Sequence, residues 1–416
     1  MRVFKFGGAS IKDAKGVKNL ERIVKLHNDQ PLIVVVSAMG KSTNLLETIC
    51  DYSARNKEIN EEALNRFMNF HISLAKELFD ADHVVFDEFI EYEKQLRKIL
   101  NEDSSKAFDF FYDQTVSFGE VLSTRIIHHY LQKEGVVNQW LKAGDIIKTN
   151  SNYREGRVDW EKSKKAASKI QISKNTVIVT QGFLGESDEG SVTTLGREGS
   201  DYTAAILAFV LDADEVVIWK DVRGMLNADP RIFADAVKLK EISFKEAIEL
   251  SYYGATVIHP KTLQPLKEKN LPLFVKSFED LAEEGSKISS NDTFDHEIAS
   301  YILKKDQLLI SITPPDLTFV VEENLSHIFS VFAQYKVKIH LMQNSALNFS
   351  VCVDNDSRKI PLLLEELNKS YRVRFNDGLS LLTVRHYKEA LLDELVKGKE
   401  VLLEQKTRNT ARFVYR

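Results

Sequence analysis

Apolar and polar residues along the first two-thirds of the chain follow two periods in turn, one typical of strands and one of helices. Short apolar runs predict strands at 2–6, 31–37, 136–140, 176–180, 215–219 and 273–276, the last of them closing the sheet. Helical spacing predicts helices at 11–27, at 202–211, and from 42 to 131 with breaks near 60, 80 and 101. This alternation favours an α/β fold whose mainly parallel sheet is covered by helices on both faces. Such sheets bind ligands at the carboxyl ends of their strands.

A polar stretch from Glu283 to Asp292 marks the predicted end of this part, after which the units become shorter. Strand, helix, strand, strand and helix are predicted at 308–313, 324–334, 338–342, 349–354 and 359–367. A second partial series, at 381–386, 388–396, 401–405 and 411–415, stops without a final helix. We therefore expect a domain over 1–290 and an α+β region over 297–416. That region would hold a first unit at about 305–380 and an incomplete second unit at about 381–416.

Composition and charge exclude several classes of function. The 416 residues are 43% hydrophobic and 28% charged, which is typical of a soluble protein of two or three domains. A formal net charge of −5, with no basic block, gives no reason to expect nucleic-acid binding. No apolar run reaches the ~18–20 residues that span a bilayer, so no membrane partner is expected. The two cysteines, Cys50 and Cys352, have no metal or disulfide spacing and favour a cytoplasmic protein.

The first candidate site is Lys5-Phe-Gly7-Gly8-Ala-Ser10, where a predicted strand ends and a helix follows. Glycines let backbone N–H groups approach a phosphate closely, and the helix amino end adds partial positive charge. Lys5 would neutralise charge on a transferring phosphoryl group. The alternative is a tight turn with a solvated lysine, which this segment alone does not exclude.

The second candidate is the loop from Gly182 to Ser200, predicted to be long and polar, together with the helix after it. Its Gly196-Arg197 pair offers a guanidinium for a substrate carboxylate. Ser200 is predicted to be the N-cap of the helix, and Asp201 in the first turn is expected to orient Lys5. A capped helix with surface charges would explain Ser200 and Asp201 but not the glycine–arginine loop.

Three further segments carry weaker signals. Glu120, on the polar face of a predicted helix, could hold a substrate ammonium or be an ordinary exposed glutamate. The segment 36–42 is no Walker A loop because Val35 replaces its first glycine, but Ser37 and Thr43 offer hydroxyl groups. The loop 219–231 could hold a purine and its ribose, with Arg231 near the outer phosphates, or be a pair of simple turns.

These segments, in this order, resemble those of the aspartate kinases (aspartokinases), within the amino-acid kinase family. The resemblance covers nearly the whole chain and rests on KFGGAS (5–10), VVVSAMGKSTN (34–44), SFGEVLS (117–123), TQGFLG (180–185), TLGREGSDYTAA (194–205), WKDVRGM (219–225), ADPR (228–231) and GATVIHPKT (254–262). It implies a three-layer kinase fold followed by ferredoxin-like ACT regulatory modules. It also implies transfer of the γ-phosphoryl of ATP to the β-carboxylate of L-aspartate, the first step towards lysine, threonine and methionine.

The resemblance assigns roles position by position. Lys5 and Asp201 would be catalytic, and Mg²⁺ would be held mainly through the ATP phosphates rather than by ligands of the protein. Aspartate would be contacted by Ser37, Thr43, Glu120, Arg197, Gly199 and Ser200. ATP would be contacted by Lys5, Gly7, Gly8, Ser10, Lys220, Asp221, Arg231, Thr256 and Val257. The aspartate β-carboxylate is ionised at neutral pH and needs no general base.

The chain departs from the family pattern at several positions. Ala9 and Lys220 each stand where threonine is usual, and Thr256 stands where a lysine that neutralises ATP phosphates is usual. Lys220 or Lys261 is our hypothesis for the replacement of that charge.

The resemblance also suggests a homodimer joined through the ACT region and feedback by lysine or threonine, although Ala346 replaces a common glutamate there. Two alternatives stay open: another amino-acid kinase, acting on glutamate, carbamate or UMP, and a catalytically weak amino-acid sensor.

Overall fold

A computed structural model describes residues 1–101, 107–255, 258–316 and 318–416. The described chain forms two compact units. The first contains Met1–Met225, Lys238–Ile248 and residues 258–292, and the second contains Leu226–Val237, residues 249–255 and the chain from Thr293 onward. Among the described residues, no helix has the length and apolar character needed to cross a bilayer.

The first unit is built around a parallel sheet. Its strands are β1 (Arg2–Phe6), β2 (Leu32–Val36), β3 (Asn138–Leu141), β4 (Lys148–Thr149), β5 (Val177–Gln181), β6 (Leu184–Ser187), β7 (Val192–Thr194), β8 (Glu215–Lys220), β9 (Glu241–Ser243), β10 (Leu273–Ser277) and β11 (Ser286–Ser289). Eight of them form one sheet in the order β3-β5-β2-β1-β8-β10-β11-β9, and β4, β6 and β7 form a small second sheet. All neighbours from β3 to β10 are parallel, which confirms the predicted fold class.

Two predictions about this sheet are wrong. The strand β10 does not close the sheet, because antiparallel β11 and then β9 extend its edge. The polar stretch predicted as a boundary therefore contains a strand. The loop 182–200 is likewise not structureless, because β6 and β7 form a hairpin within it. The strands β6 and β7 are short and polar, so their composition resembles that of a loop.

Helices are present at the predicted positions with shifted ends, and the helices at Trp160–Ala167, Phe244–Tyr253 and Pro260–Glu268 were not predicted. The helices that begin in this unit are α1 (Ala14–Leu26), α2 (Ser42–Asn56), α3 (Glu61–Lys76), α4 (Val85–Asn101), α5 (Phe108–Val116), α6 (Phe118–Lys133), α7 (Trp160–Ala167), α8 (Gly199–Val210), α9 (Phe244–Tyr253) and α10 (Pro260–Glu268). The residues of α9 from 249 onward belong to the second unit. Helix α1 begins at Ala14 rather than at 11 because the Asp13 carboxylate accepts from the Gly16 N–H, 2.8 Å away. The predicted break near 60 is also a cap, since Asn60 accepts from Ala63 N.

The second unit contains one antiparallel sheet. Its strands are β12 (Ser300–Thr313), β13 (Ile339–Asn344), β14 (Phe349–Asp354), β15 (Arg372–Arg385), β16 (Val401–Lys406) and β17 (Thr410–Tyr415), and its helices are α11 (Glu322–Gln334), α12 (Ile360–Asn368) and α13 (Glu389–Val396). The sheet order is β13-β14-β12-β15-β17-β16. The predicted order of elements after residue 308 is therefore confirmed.

The strands β12 and β15 are longer than predicted, and each serves two modules. Residues 307–313 of β12 pair with 372–379 of β15, whereas residues 300–304 pair with 381–385. The segment 300–304 thus adds a fourth strand beside β15, β17 and β16. This segment comes before the first predicted unit in the chain but pairs with strands of the second. The order of elements along the chain therefore could not predict this pairing.

Candidate active site

The predicted site segments meet at one edge of the parallel sheet. Strands β5, β2, β1 and β8 are neighbours in this order and run parallel. They end at Gln181, Val36, Phe6 and Lys220, respectively. The glycine loop after Phe6, the loop after Val36 and the chain after Lys220 therefore leave the sheet side by side. This is the edge at which parallel sheets bind ligands.

At the centre of this edge two lysines share one carboxylate. Lys5 Nζ lies 2.6 Å from Asp201 Oδ1, and Lys220 Nζ lies 3.3 Å from Asp201 Oδ2. Lys5 is 7% exposed and Asp201 3% exposed. Burial opposes ionisation of Asp201, but the charges of Lys5 and Lys220 outweigh it and hold the pKa of this carboxyl below its usual value. The cluster carries one net positive charge, which suits an anionic ligand.

Asp201 owes its position to the first turn of α8. The helix begins at Gly199 and its N-cap is Glu198, at φ +53° and with no side-chain cap bond. The prediction that Ser200 is the N-cap is therefore wrong, because the left-handed residue Glu198 starts the helix two positions earlier. The first N–H groups of a helix lack intrahelical partners and carry partial positive charge. They lie beside the Lys5–Asp201 pair, since Asp201 belongs to the same turn.

Glycines allow the loops of this edge to touch. A Cβ on Gly8 would stand 2.0 Å from the Ala38 carbonyl oxygen, and Gly40 N donates to Gly8 O at 2.9 Å. A Cβ on Gly182 would stand 2.5 Å from Ser200 Cβ. The loops after β1 and β2 therefore pack backbone to backbone, and the chain after β5 packs on the first turn of α8. No larger residue fits without moving one of these segments.

Glu120 of α6 is buried against the loop after β2. Its Oε1 accepts from Ala38 N at 3.3 Å, and Oε2 has no hydrogen-bond partner among the described residues. Burial raises the pKa of Glu120 to about 8, although the bond from Ala38 N opposes the shift. The alternative of an ordinary exposed glutamate is excluded, because the residue is only 3% exposed. A buried carboxylate with one free oxygen is suited to a ligand ammonium.

Further side chains, for which the sequence predicts no role in ligand binding, hold these loops in place. Ser123 of α6 accepts from Met39 N at 2.8 Å, and Ser42 donates to Met39 O at 2.6 Å. Asp113 of α5 accepts from Thr194 N and Thr194 Oγ1, at 2.8 and 2.7 Å. Thr194 directly precedes the Leu195-Gly196-Arg197 loop. Only the long-range contact reveals Asp113, since nothing local distinguishes its sequence.

Other predicted site residues lie outside this buried cluster. Arg197 and Asp221 are exposed, and Arg231, in the second unit, is 88% exposed and pairs with Asp229 at 2.7 Å. Ser10, Ser37 and Thr43 are half-buried. Thr256 and Val257 lie outside the described residues. Lys261, the second replacement considered for the missing lysine, donates to Leu195 O at 2.9 Å, whereas Lys220 reaches Asp201.

The chain matches the model of the amino acid kinase family over residues 1–277 and belongs to that family. Among curated proteins it is 28% identical over 391 residues to lysine-sensitive aspartokinase 3 of Escherichia coli, covering 92% of this chain and 86% of that protein. It is 30% identical over 402 residues to the chloroplastic aspartokinase 1 of Arabidopsis thaliana, covering 92% and 70%. It matches the bifunctional aspartokinase/homoserine dehydrogenase of Buchnera aphidicola at 29% identity, and spans about half (47%) of that longer relative.

Solved structures give the same likeness. Escherichia coli aspartokinase III in complex with lysine and aspartate has a TM-score of 0.83 at 26% identity, over all of this chain and 95% of that chain. The same enzyme in complex with aspartate and ADP has a TM-score of 0.80 over 96% of its chain. The three-layer kinase fold followed by ferredoxin-like modules is thereby confirmed.

Proposed function

We propose that this chain is an aspartate kinase, which transfers the γ-phosphoryl group of ATP to the β-carboxylate of L-aspartate. The observation that carries the proposal is the Lys5–Asp201–Lys220 cluster at the carboxyl edge of the parallel sheet. The names of its relatives, and the aspartate and ADP complexes of one of them, support the same activity.

Catalysis in this site is positioning and neutralisation of charge. The acceptor carboxylate is ionised at neutral pH, so it attacks phosphorus without a general base. Lys5 binds oxygens of the transferring phosphoryl group, whose charge spreads over those oxygens in the transition state. Asp201 orients the Lys5 ammonium towards those oxygens. Lys220 supplies the positive charge that related kinases usually have at the position of Thr256. The bond to the leaving β-phosphate breaks as the bond to the carboxylate oxygen forms, giving ADP and 4-phospho-L-aspartate.

Two residues select an α-amino acid as acceptor. Glu120 Oε2, which lacks a protein partner, binds the substrate ammonium within the buried part of the site. Arg197, exposed on the loop before α8, closes on the α-carboxylate, assisted by Gly199 and Ser200. Ser37 and Thr43 add hydroxyl contacts. Carbamate and UMP have no ammonium group for Glu120, which disfavours them as acceptors.

We propose that Mg²⁺ enters the site with ATP and is held mainly through the ATP phosphates. Among the described residues, no group of three His, Cys, Asp or Glu side chains is arranged to hold a metal ion. Gly7, Gly8 and Ser10 would cradle the phosphates, and Asp221 would complete the nucleotide contacts proposed within the first unit. The ion, when bound, would neutralise phosphate charge.

The assay for this function traps the acyl phosphate as a hydroxamate. The purified protein is incubated with MgATP, hydroxylamine and either L-aspartate, L-glutamate or no acceptor. Carbamate and UMP reactions are followed by ADP release. We expect aspartate hydroxamate, and its loss in Lys5→Met. Product with another acceptor alone would instead identify a different amino-acid kinase, and none with any acceptor would indicate a sensor.

We further propose that the second unit regulates the kinase and joins two copies of the chain. One relative is named lysine-sensitive, and its structure was solved with lysine. Lysine or threonine is therefore the expected effector. Light scattering at micromolar protein tests for the homodimer, and calorimetric titration with each amino acid tests for the effector. A monomer, or the absence of heat with either amino acid, contradicts the corresponding proposal.

A further inference from the structure

The sheet of the second unit is curved, so that its two edge strands approach each other. An apolar cluster joins residues from all six strands: Leu309, Leu341, Cys352, Leu379, Leu381, Leu403 and Val414. It includes Leu341 of β13 and Leu403 of β16, which are the opposite edge strands. Gln405 Nε2 of β16 also donates to Met342 O of β13 at 3.5 Å. The concave face of the sheet therefore encloses an apolar interior.

Arg412 continues this concave face. It stands two positions before Val414 on β17, so both side chains leave the sheet on the same face. The row beside it contains Thr383, its partner in the strand register. Arg412 is 8% exposed, and its guanidinium lies 5.0 Å from the centre of the Tyr253 ring. A large cation is thus almost enclosed at the end of an apolar interior.

The hydrogen-bonding capacity of Arg412 is mostly unused. Its Nε donates to Thr383 Oγ1 at 3.3 Å. Across the described residues, no carboxylate lies within ion-pair distance of Arg412 and no second hydrogen bond is made. Burial holds the pKa of Arg412 below its usual value. Burial of a charge without a counter-ion raises the free energy of the folded protein. Binding of an anion to the Arg412 guanidinium would lower it.

Nearby carboxylates are already engaged with other groups. Glu249 pairs with Arg385 at 3.6 Å. Asp354 lies 2.8 Å from His340 Nε2 and accepts from Gln307 Nε2 at 2.9 Å. Neither carboxylate neutralises Arg412.

A second cation lies on the same face. Lys304 stands opposite Leu381 in the register, and its side chain is 25% exposed. Burial holds the pKa of Lys304 below its usual value, and the charges of Lys338 and Arg412 lower it further. The carboxylate of Asp354, 3.9 Å away, opposes this shift. Arg412 and Lys304 therefore lie on one face of the sheet, and among the described residues the carboxylate within ion-pair distance of either cation is Asp354, 3.9 Å from Lys304. The local surplus of charge is positive.

We propose that the concave face of this sheet binds a small oxyanion, a carboxylate or a phosphate group, between Arg412 and Lys304. The guanidinium fork of Arg412 takes two oxygens of the anion, and Lys304 supplies a point charge from the neighbouring row. The aromatic ring of Tyr253 lines the site. This site uses residues of the second unit alone and stands independently of the proposed kinase activity.

The test is the thermal stability of the full chain in low-salt buffer, with added sodium malonate, sodium phosphate or sodium chloride at equal ionic strength. Malonate and phosphate separate a carboxylate ligand from a phosphate ligand. The variants are Arg412→Met, Arg412→Lys and, as control, Arg408→Met, which removes an exposed arginine two residues before β17. Isothermal titration with the more effective anion then gives its Kd for each variant.

We expect malonate or phosphate to raise the melting temperature of the wild type and of Arg408→Met above the chloride value. In Arg412→Met the Kd should weaken at least tenfold, and Arg412→Lys should keep a weaker response. Without added anion, Arg412→Met should be at least as stable as the wild type, because it removes an uncompensated buried charge. Equal anion responses in the wild type and Arg412→Met, or no response in the wild type, would overturn the proposal. Should Arg412→Met fail to fold, an unchanged Kd in Arg412→Lys decides against it.

Discussion

Lys5 Nζ lies 2.6 Å from Asp201 Oδ1, although the two residues belong to a strand at the start of the chain and a helix in its middle. The pair forms because β1 is central in the sheet and α8 begins at the same edge. It joins the strand that leads into the Gly7-Gly8 loop to the helix that follows the Gly196-Arg197 loop. The chemistry of the site therefore depends on a contact between distant segments.

Replacement of Lys5 by Met should lower kcat by about 10²–10³, the usual cost of removing one preorganised donor from a transition state. The fold should persist, because Asp201 keeps Lys220 as a partner. Steady-state kinetics and a melting curve measure both effects. Lys12→Met, which removes an exposed lysine of the same loop, is the matched control. A kcat within twofold of the wild type would remove Lys5 from the mechanism.

Thr256 stands where related kinases usually have a lysine, and Lys220 and Lys261 should differ in their ability to replace its charge. Since Lys220 reaches Asp201 and Lys261 reaches Leu195 O, Lys220→Ala should raise the KM for ATP about tenfold. Lys261→Ala should leave the KM for ATP near the wild-type value. The measurement is initial rate against MgATP at saturating aspartate. Wild-type values for both variants would reject compensation by either lysine.

The pKa of about 8 at Glu120 predicts a pH dependence for the use of aspartate. Only the ionised carboxylate holds the substrate ammonium, so kcat/KM for aspartate should rise about tenfold per pH unit below 8 and level off above it. Glu120→Gln should lose most of this activity and the slope. A wild-type profile that is flat from pH 6 to 8 contradicts the assignment.

The raised pKa of Glu120 also predicts how the stability of the fold changes with pH. This measurement tests the pKa independently of activity. The folded pKa of Glu120 is raised above the value of 4.5 for an unperturbed glutamate. Between pH 4.5 and about 8 folding therefore takes up a proton, and the contribution of Glu120 to stability falls as pH rises. Relative to the wild type, the melting temperature of Glu120→Gln should increase from pH 5 to pH 8. A constant difference would show that Glu120 is already ionised in the free protein.

Adjacent glycines of the first loop should respond differently to alanine. A Cβ on Gly8 would stand 2.0 Å from Ala38 O, so Gly8→Ala should destabilise the fold by about 1–3 kcal/mol. A Cβ on Gly7 meets only Lys5 Nζ, at 3.6 Å, so Gly7→Ala should keep the stability and weaken ATP binding. Denaturant unfolding and the KM for ATP separate the two effects. Equal loss of stability in both variants would contradict this reading of the loop.

Much of the first unit could be predicted from local pattern. The buried runs at β1, β2, β5 and β8 are strands because continuous apolar segments fit a sheet covered on both faces. The predicted break near 60 is a side-chain cap, whereas the cap at Asp13 starts α1 three residues after the predicted position. The polar strands β6 and β7 could not be found in this way, because their pairing depends on a hairpin packed against α5. The N-cap of α8 at Glu198 was also not predicted, since the left-handed conformation of Glu198 is unusual for a residue other than glycine.

The sequence by itself determined the periodic elements, the glycine loops and the residue types of a phosphoryl-transfer site, because these depend on neighbours along the chain. Tertiary structure decided which charges meet and which are buried. It paired Lys5 and Lys220 with Asp201, enclosed Glu120 beside Ala38, and gave Arg412 no counter-ion among the residues that the structure describes. Burial and long-range pairing set the energies of these groups, and neither is encoded in the spacing of residues along the chain.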